Sequence, residues 1–266
     1  MTFVDRFSSY FDDHDGILYA KDVARPGKFE KSYIGLREKE GRVYSDAVVQ
    51  SLPDVPAAHP KKNEWDLRKI SLLKLIAHLK KHGHTKSLLE VGCGNGWLSH
   101  SLAINLPAHV CALDINEIEL RQGARVFQCP DLIFVYADIF TVDFRDHQFD
   151  TIILASSIQY FSDLPRLLRR LLEMVAPGGK IYLLDSPWYT ANTVTAARER
   201  SKTYFESLGF PEMAESYFHH TLSELTSFNY EIIFNPNSLA SLMKKKVLGR
   251  QLPYFPWIEL KASELP

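Results

Sequence analysis

The stretch LLEVGCGNGWLS, Leu88 to Ser99, decides how the rest of the chain is read. It sets three glycines, Gly92, Gly94 and Gly96, within five positions, between an apolar run and a segment of helical pattern. Glycine accepts backbone conformations and close approaches that a Cβ forbids. A simple turn needs one such residue, two at most. Three predict that something comes unusually close to this backbone.

On either side the chain alternates. SLLEV (87–91) reads as a buried strand and WLSHSLAINL (97–106) as a helix. HVCALD (109–114) is a strand ending on an acid, EIELRQGARVFQ (117–128) a helix, and LIFVYAD (132–138) a third strand ending on an acid. FDTIILAS (149–156) is a fourth strand. In DLPRLLRRLLEMVAPGG (163–179), Leu164, Leu167, Leu168, Leu171, Leu172 and Val175 form one helical face, with Arg166, Arg169 and Arg170 mostly outward, before the APGG turn. KIYLLD (180–185) is a fifth strand. Strands and helices in this rhythm predict a parallel sheet with helices on both faces and right-handed crossovers.

Past Asp185 the pattern changes. Residues 187–220 are helical in composition and rich in aromatics, and strands YEIIF (230–234) and WIELKAS (257–263) flank a short helix, SLASLMKKKVLG (238–249). Upstream, a helix is predicted over 65–82, with Leu72, Leu73, Ile76 and Leu79 inward, Lys74, Lys80 and Lys81 outward, and Gly83 as its C-terminal cap. SYIGLREKEGRVYSDAVVQSLP (32–53) fits a short strand or helix pair. Three prolines within the eight residues 53–60 mark a connector.

Composition narrows the function. With 266 residues, 45% of them hydrophobic, the chain supports one substantial core with an accessory element. Basic and acidic residues number 31 and 32, a net charge of −1, so nucleic acid is not expected as a partner. Lys244, Lys245 and Lys246, the densest basic cluster, read as a solvated helix face. Cys93, Cys111 and Cys129 have no metal-ligand spacing and predict free thiols in a reducing compartment, with no metal site. MTFVDRFSSYFDDHDG lacks a signal-peptide pattern, and no apolar run approaches the roughly 18 residues of a membrane span. A cytoplasmic protein without a membrane partner is expected.

In a doubly wound sheet, ligands bind beyond the carboxyl ends of the strands. The residues there are Gly92 to Gly96, Asp114, Asp138 and Ala155 to Gln159. An acid after the second strand suits ribose hydroxyls, and one after the third suits an adenine amino group, which together describe a pocket for an adenosine-containing ligand. A dinucleotide loop would read G-x-G-x-x-G. Here Trp97 stands where its third glycine belongs, and Glu90, two residues before Gly92, suits a ligand with a positive group. An NAD(P)-dependent oxidoreductase remains the rival reading.

The E-x-G-x-G-x-G of Glu90 to Gly96, Asp114, Asp138, FDTIILASSIQYFSD (149–163) and APGG resemble the class I S-adenosylmethionine-dependent methyltransferases, over about residues 85–186 and more weakly to the last two strands. Ala155-Ser156-Ser157-Ile158 stands where many DNA and N-methyltransferases carry an NPPY-type motif, so the core is closer to small-molecule (type 11/12-like) enzymes. The resemblance implies an α/β, Rossmann-like, doubly wound sheet of seven strands, the last antiparallel, and S-adenosylmethionine as cofactor. It implies that Glu90, Gly92, Gly94, Asn95 and Gly96 contact the methionine part, and that Asp114 holds the ribose with Ile115 beside it. Asp138 and Ile139 would flank the adenine, Ala155 and Ser156 would lie along the cofactor, and Arg68, in the helix before the first strand, would bind its carboxylate. Residues 1–84 are then an N-terminal extension with a cofactor-covering helix, and 85–266 the methyltransferase domain with a lid insertion at about 187–226. Competing readings make Asp114 or Asp138 a cap, Glu90 a partner for loop amides and Arg68 a surface charge.

A sulfonium is an activated leaving group, so methyl transfer needs chiefly a nucleophile held in line. A hydroxyl or ammonium acceptor gains from a base. The candidates are His219 and His220, then Tyr160 and Tyr204; the competing reading, favoured for each histidine singly, makes them surface or capping residues. Trp188, Tyr189, Tyr204, Tyr217 and Phe218 are expected around an apolar acceptor pocket. The expected function is methyl transfer to a small-molecule acceptor with S-adenosylhomocysteine as product; a protein methyltransferase and a non-catalytic cofactor-binding protein are the alternatives.

Overall fold

The computed structural model describes residues 10–21, 27–82, 85–145, 147–248 and 251–262. Within them one sheet holds nine strands: β1 (Phe11–His14), β2 (Ile17–Ala20), β3 (Ser87–Val91), β4 (His109–Asp114), β5 (Leu132–Tyr136), β6 (Phe149–Ala155), β7 (Val175–Leu184), β8 (Tyr230–Phe234) and β9 (Trp257–Lys261). Their order is β1-β2-β5-β4-β3-β6-β7-β9-β8. The run from β5 to β8 is the expected seven-stranded sheet, with β9 antiparallel to both neighbours. The count of seven is corrected to nine by an N-terminal hairpin, whose β2 runs parallel to β5. Asp15 and Gly16, at φ 55 and 80, make its two-residue turn. Positive φ at both central positions suits the right-handed twist of the strands, which explains the Asp-Gly pair.

The strands of the parallel core are covered on both faces, which is why they read as unbroken apolar runs. Leu89, Cys111 and Ile152 point to one layer; Leu88, Val110 and Ile153 point to the other. On the second side lie α2 (Asp46–Ser51), α3 (Lys62–Lys81), α4 (Trp97–Asn105) and α5 (Glu117–Val126), which follow α1 (Lys28–Lys39) in the chain. On the first lies α6 (Leu164–Leu172), whose Leu164, Leu167, Leu168 and Leu171 are fully buried. Asp163 caps it by accepting the Arg166 N–H at 2.9 Å. The chain continues through α7 (Ala191–Leu208) and α8 (Leu239–Leu248).

Some expectations are displaced. The segment 32–53 forms two helices, α1 and α2. In α3 the buried row includes Leu75, while Leu73 is 57% exposed. Helix α6 stops at Leu172, and Val175 belongs to β7, which runs through the APGG segment. A Cβ on Gly179 would come within 2.9 Å of the Asp150 carbonyl, and Gly178 has φ +75, so these glycines bend a strand instead of ending a helix. Gly83 and Ser263 lie outside the described residues, as do the side chains of Lys244 and Lys245; Lys246 is exposed. The expected lid is α7 followed by two 3-10 turns, Pro211–Ser216 and Leu222–Leu225. Phe205 and Met213 from this segment pack with Leu36 of α1. No helix among the described residues is long and apolar enough to cross a membrane.

Candidate cofactor and acceptor site

Beyond the carboxyl ends of β3, β4, β5 and β6 lies a cavity of about 350 Å³. Its floor starts with the glycine loop. Gly92, Gly94 and Gly96 have φ of 76, 56 and 73, so the course of the loop itself demands glycine at all three. What lies against them differs. A Cβ on Gly96 would meet the Phe134 ring at 2.4 Å, and one on Gly92 would meet Ser157 Cβ at 2.6 Å. At Gly94 the nearest atom is Glu119 Oε2, at an ordinary 3.4 Å. Gly92, Gly94 and Asn95 line the cavity; Gly96 does not, and its Cβ is excluded by protein packing.

Asp114 ends β4 and anchors the loop. Its Oδ2 accepts the Gly94 N–H at 2.7 Å and its Oδ1 accepts the Asn116 N–H at 2.8 Å. Burial raises its carboxyl above the usual range. The cap of α5 is Asn116, whose Oδ1 accepts the Glu119 N–H at 3.1 Å, so Asp114 is not the side chain capping that helix. Asp138 follows β5 and accepts the Phe140 N–H at 2.9 Å. Ile115, Ile139, Ala155 and Ser156 also line the cavity. Glu90 is buried and accepts from the Ser99 hydroxyl; burial pushes its carboxyl up to about 8. Arg68 lies over the Trp65 ring at 5.4 Å and donates from Nε and Nη2 to Glu64.

The base candidates are placed differently. Neither His219 nor His220 lines the cavity. His219 is buried, with Nε2 2.9 Å from Ser201 Oγ, and burial lowers its pKa. His220 spends its ring nitrogens on Glu224 Oε2 and the Ile158 carbonyl, each at 3.0 Å. Tyr160 does line the cavity, but burial pushes its phenol up to about 12, further from use as a base at neutral pH, where it stays a hydrogen-bond donor. Tyr204 is outside, its hydroxyl donating to Glu40 at 2.5 Å. The expected aromatic wall of Trp188, Tyr189, Tyr204, Tyr217 and Phe218 is likewise absent from the lining. Tyr217 instead packs edge-on behind Tyr160 at 5.8 Å.

The aromatic wall comes from α1 and the strand ends: Phe29 and Tyr33 from α1, and Tyr160 and Phe161 after β6. Several cavity residues were missed in the sequence, among them Phe29, Tyr33, Arg37, Arg42, Glu64, Glu119 and Asp185. Asp185 ends β7 much as Asp114 ends β4, and the rule that ligands sit past strand ends would have found it. Its carboxylate accepts from Ser71 Oγ at 2.7 Å. Phe29, Tyr33 and Arg37 share one face at i, i+4 and i+8, a pattern without meaning until the cavity is seen. Burial, then the nearby Asp114 carboxylate, raise Glu119 to about 7.

Residues 89–183 match the methyltransferase domain family model. An uncharacterized methyltransferase of Mycobacterium tuberculosis is 33% identical over 97 residues, 36% of this chain and 49% of that one. The chain therefore spans about half the length of that relative. The malonyl-[acyl-carrier protein] O-methyltransferase of Erwinia pyrifoliae is 30% identical over 182 residues, 66% of each chain. Magnesium protoporphyrin IX methyltransferase from Synechocystis PCC 6803, solved with bound SAH, superposes with a TM-score of 0.54 at 15% identity, covering 88% of this chain and 94% of that one.

The chain belongs to the class I S-adenosylmethionine-dependent methyltransferases.

The residues present fit that methyltransferase cofactor. The cavity sets carboxylates Asp114 and Asp138 at adjacent strand ends, with Ile115, an isoleucine left 45% exposed, between them in sequence. Carboxylates take hydroxyl and amino donors, and an exposed apolar side chain at a cleft suits a flat purine. Among the described residues, no group of three or more His, Cys, Asp or Glu is arranged to hold a metal ion.

Proposed function

We propose that this methyltransferase family member transfers the methyl group of S-adenosylmethionine to a small-molecule acceptor, leaving S-adenosylhomocysteine. The observation that carries this reading is the convergence of the Gly92–Asn95 loop, Asp114, Asp138 and Ala155 on one cavity beyond four parallel strand ends. The malonyl-[acyl-carrier protein] O-methyltransferase and the magnesium protoporphyrin IX methyltransferase named above support a small or carrier-bound acceptor. A cytoplasmic setting accords with three free cysteines.

When bound, the cofactor supplies a methyl group activated on a sulfonium. In this reading Asp114 holds the ribose hydroxyls, Ile115, Asp138 and Ile139 receive the adenine, and Ala155 and Ser156 lie along the cofactor. Glu90, Gly92, Gly94 and Asn95 border its methionine part, Gly96 serving the loop from behind. Arg68 takes the carboxylate. Helix α1, and behind it the lid, exclude water from the acceptor side. Tyr160 donates a hydrogen bond to the acceptor, and the chemistry rests on positioning. Titration calorimetry with S-adenosylhomocysteine and with NADH tests the reading. The expected result is saturable binding of the former only; tighter binding of NADH overturns it.

A further inference from the structure

Over the cavity, the roof carries its own charge pattern. Three arginines line it: Arg37 from α1, Arg42 just beyond that helix, and Arg68 from α3. Two carboxylates link them. Glu40 Oε2 accepts from Arg37 Nη1 at 3.1 Å and lies 3.2 Å from Arg42 Nε. Glu64 Oε1 takes Arg42 Nη1 at 2.6 Å and Arg68 at 3.2 Å. Glu30, buried in α1, lines the cavity as a third carboxyl group, and Glu119 acts on Arg37 across it, so the roof has no excess of positive charge.

What Arg37 holds in reserve is hydrogen-bonding capacity. A guanidinium offers five N–H donors. Among the described residues, Arg37 engages only Nη1, and its Nε is buried without a hydrogen-bond partner. A buried donor left unpaired is costly, so such a group calls for an acceptor that binding supplies. Two further donors face the same space. Tyr33 and Tyr160 stand edge-to-face at 5.5 Å, and neither hydroxyl makes a hydrogen bond among the described residues. Arg37 lies 5.6 Å from the Tyr33 ring. Phe29 and Phe161 supply apolar surface beside them.

We propose that the methyl acceptor is an acid, a carboxylate or a phosphate monoester on an apolar body, and that Arg37 with the hydroxyls of Tyr33 and Tyr160 anchors its anionic group. The proposal rests on the methyltransferase reading above. Arg68, tied to Glu64 at the other end of the relay, is left for the cofactor. Arg37 sets which acceptors are admitted.

The test is calorimetric and needs no turnover. Protein saturated with S-adenosylhomocysteine is titrated with phenylbutyrate against phenylbutanol, and with phenyl phosphate against phenol. At least one anion should bind about tenfold or more tightly than its neutral partner, as charge-assisted hydrogen bonds require. Arg37→Gln should abolish that preference and Arg37→Lys restore part of it. The anion that binds distinguishes carboxylate from phosphate. Equal binding of the neutral partners, no binding of either anion at millimolar concentration, or a preference that survives Arg37→Gln overturns the proposal. So does an Arg37→Gln protein that loses affinity for S-adenosylhomocysteine but keeps it for methylthioadenosine, which would make Arg37 the cofactor's own anchor. Failure of the wild type to bind S-adenosylhomocysteine would instead overturn the underlying reading.

Discussion

The floor and the roof of the cavity are built by different means. The floor is made where four parallel strands end, and its geometry is backbone geometry: positive φ at Gly92, Gly94 and Gly96, and at the non-glycine residues Ser156 and Asp185. Its side chains are tied back to main chain, Asp114 to Gly94 and Asn116, Ser157 Oγ to the Val91 carbonyl. In the roof, α1 is joined to the α7 segment behind it by side chains: Ser32 to Glu212 at 2.7 Å, Tyr204 to Glu40 at 2.5 Å, and a small cluster around Leu36, Phe205 and Met213. A floor built of backbone can recognise what every member of a fold binds. A roof built of side chains can change its ligand by changing a few residues.

That contrast is broken most severely at Gly96. A Cβ there meets both a disfavoured φ and the Phe134 ring, so Gly96→Ala should lose roughly 2–5 kcal/mol of stability by urea denaturation. Gly94→Ala, strained only in φ, should lose about 1–2 kcal/mol. Equal losses would mean that packing under the loop is not what distinguishes them. On the floor's ligand side, Asp114→Ala should weaken S-adenosylhomocysteine binding by about 1–3 kcal/mol, the cost of charge-assisted hydrogen bonds. Unchanged affinity would remove it from the ribose site.

His220 lies behind the roof, not in it. His220→Phe should cost roughly 1–3 kcal/mol of stability, through the orphaned Ile158 carbonyl and Glu224, while cofactor affinity holds. A variant with wild-type melting and no activity would return it to catalysis.

The floor's acids also predict a pH dependence. Glu90 and Glu119, ordinarily near 4.5, are raised to about 8 and about 7 by burial. The folded state therefore binds more protons than the unfolded chain between these values, and stability falls as pH rises. The urea midpoint should be highest below pH 4.5 as far as these two groups decide it, and drop progressively to pH 8. Glu90→Gln, which keeps an acceptor for Ser99, should flatten the upper part of that drop. An unaltered slope would show that Glu90 ionises freely. The smallest effect belongs to the roof. Tyr204→Phe removes one partly exposed hydrogen bond, about 0.5–1.5 kcal/mol, and should show as faster amide exchange in α7 with unchanged exchange in β3 and β4.

What could be read from the sequence follows the same division. Strands β3 to β7 are legible because burial on both faces forces continuous apolar runs, and the ligand residues because they follow those runs directly. Helix α1 is not, since its inward residues Phe29, Tyr33 and Arg37 face a cavity and include an arginine, which no hydrophobic period reports. The histidines misled for a related reason. A segment placed by topology over the site need not turn every side chain toward it, and His219 and His220 turn toward Ser201, Ile158 and Glu224. The hairpin was hidden because β1 buries only Phe11 and shows Asp12, Asp13 and His14 to solvent, although the Asp-Gly turn announced it.

That hairpin decides how the molecule ends its sheet. LIFVY of β5 is buried at every position and would otherwise present a bare row of amides and carbonyls to any passing extended chain. With β1 and β2 in place, the outermost strand among the described residues is four residues long and carries two aspartates, a poor template for further pairing. A chain shortened to begin after Ala20 would keep its whole ligand cavity and lose its protection against self-association.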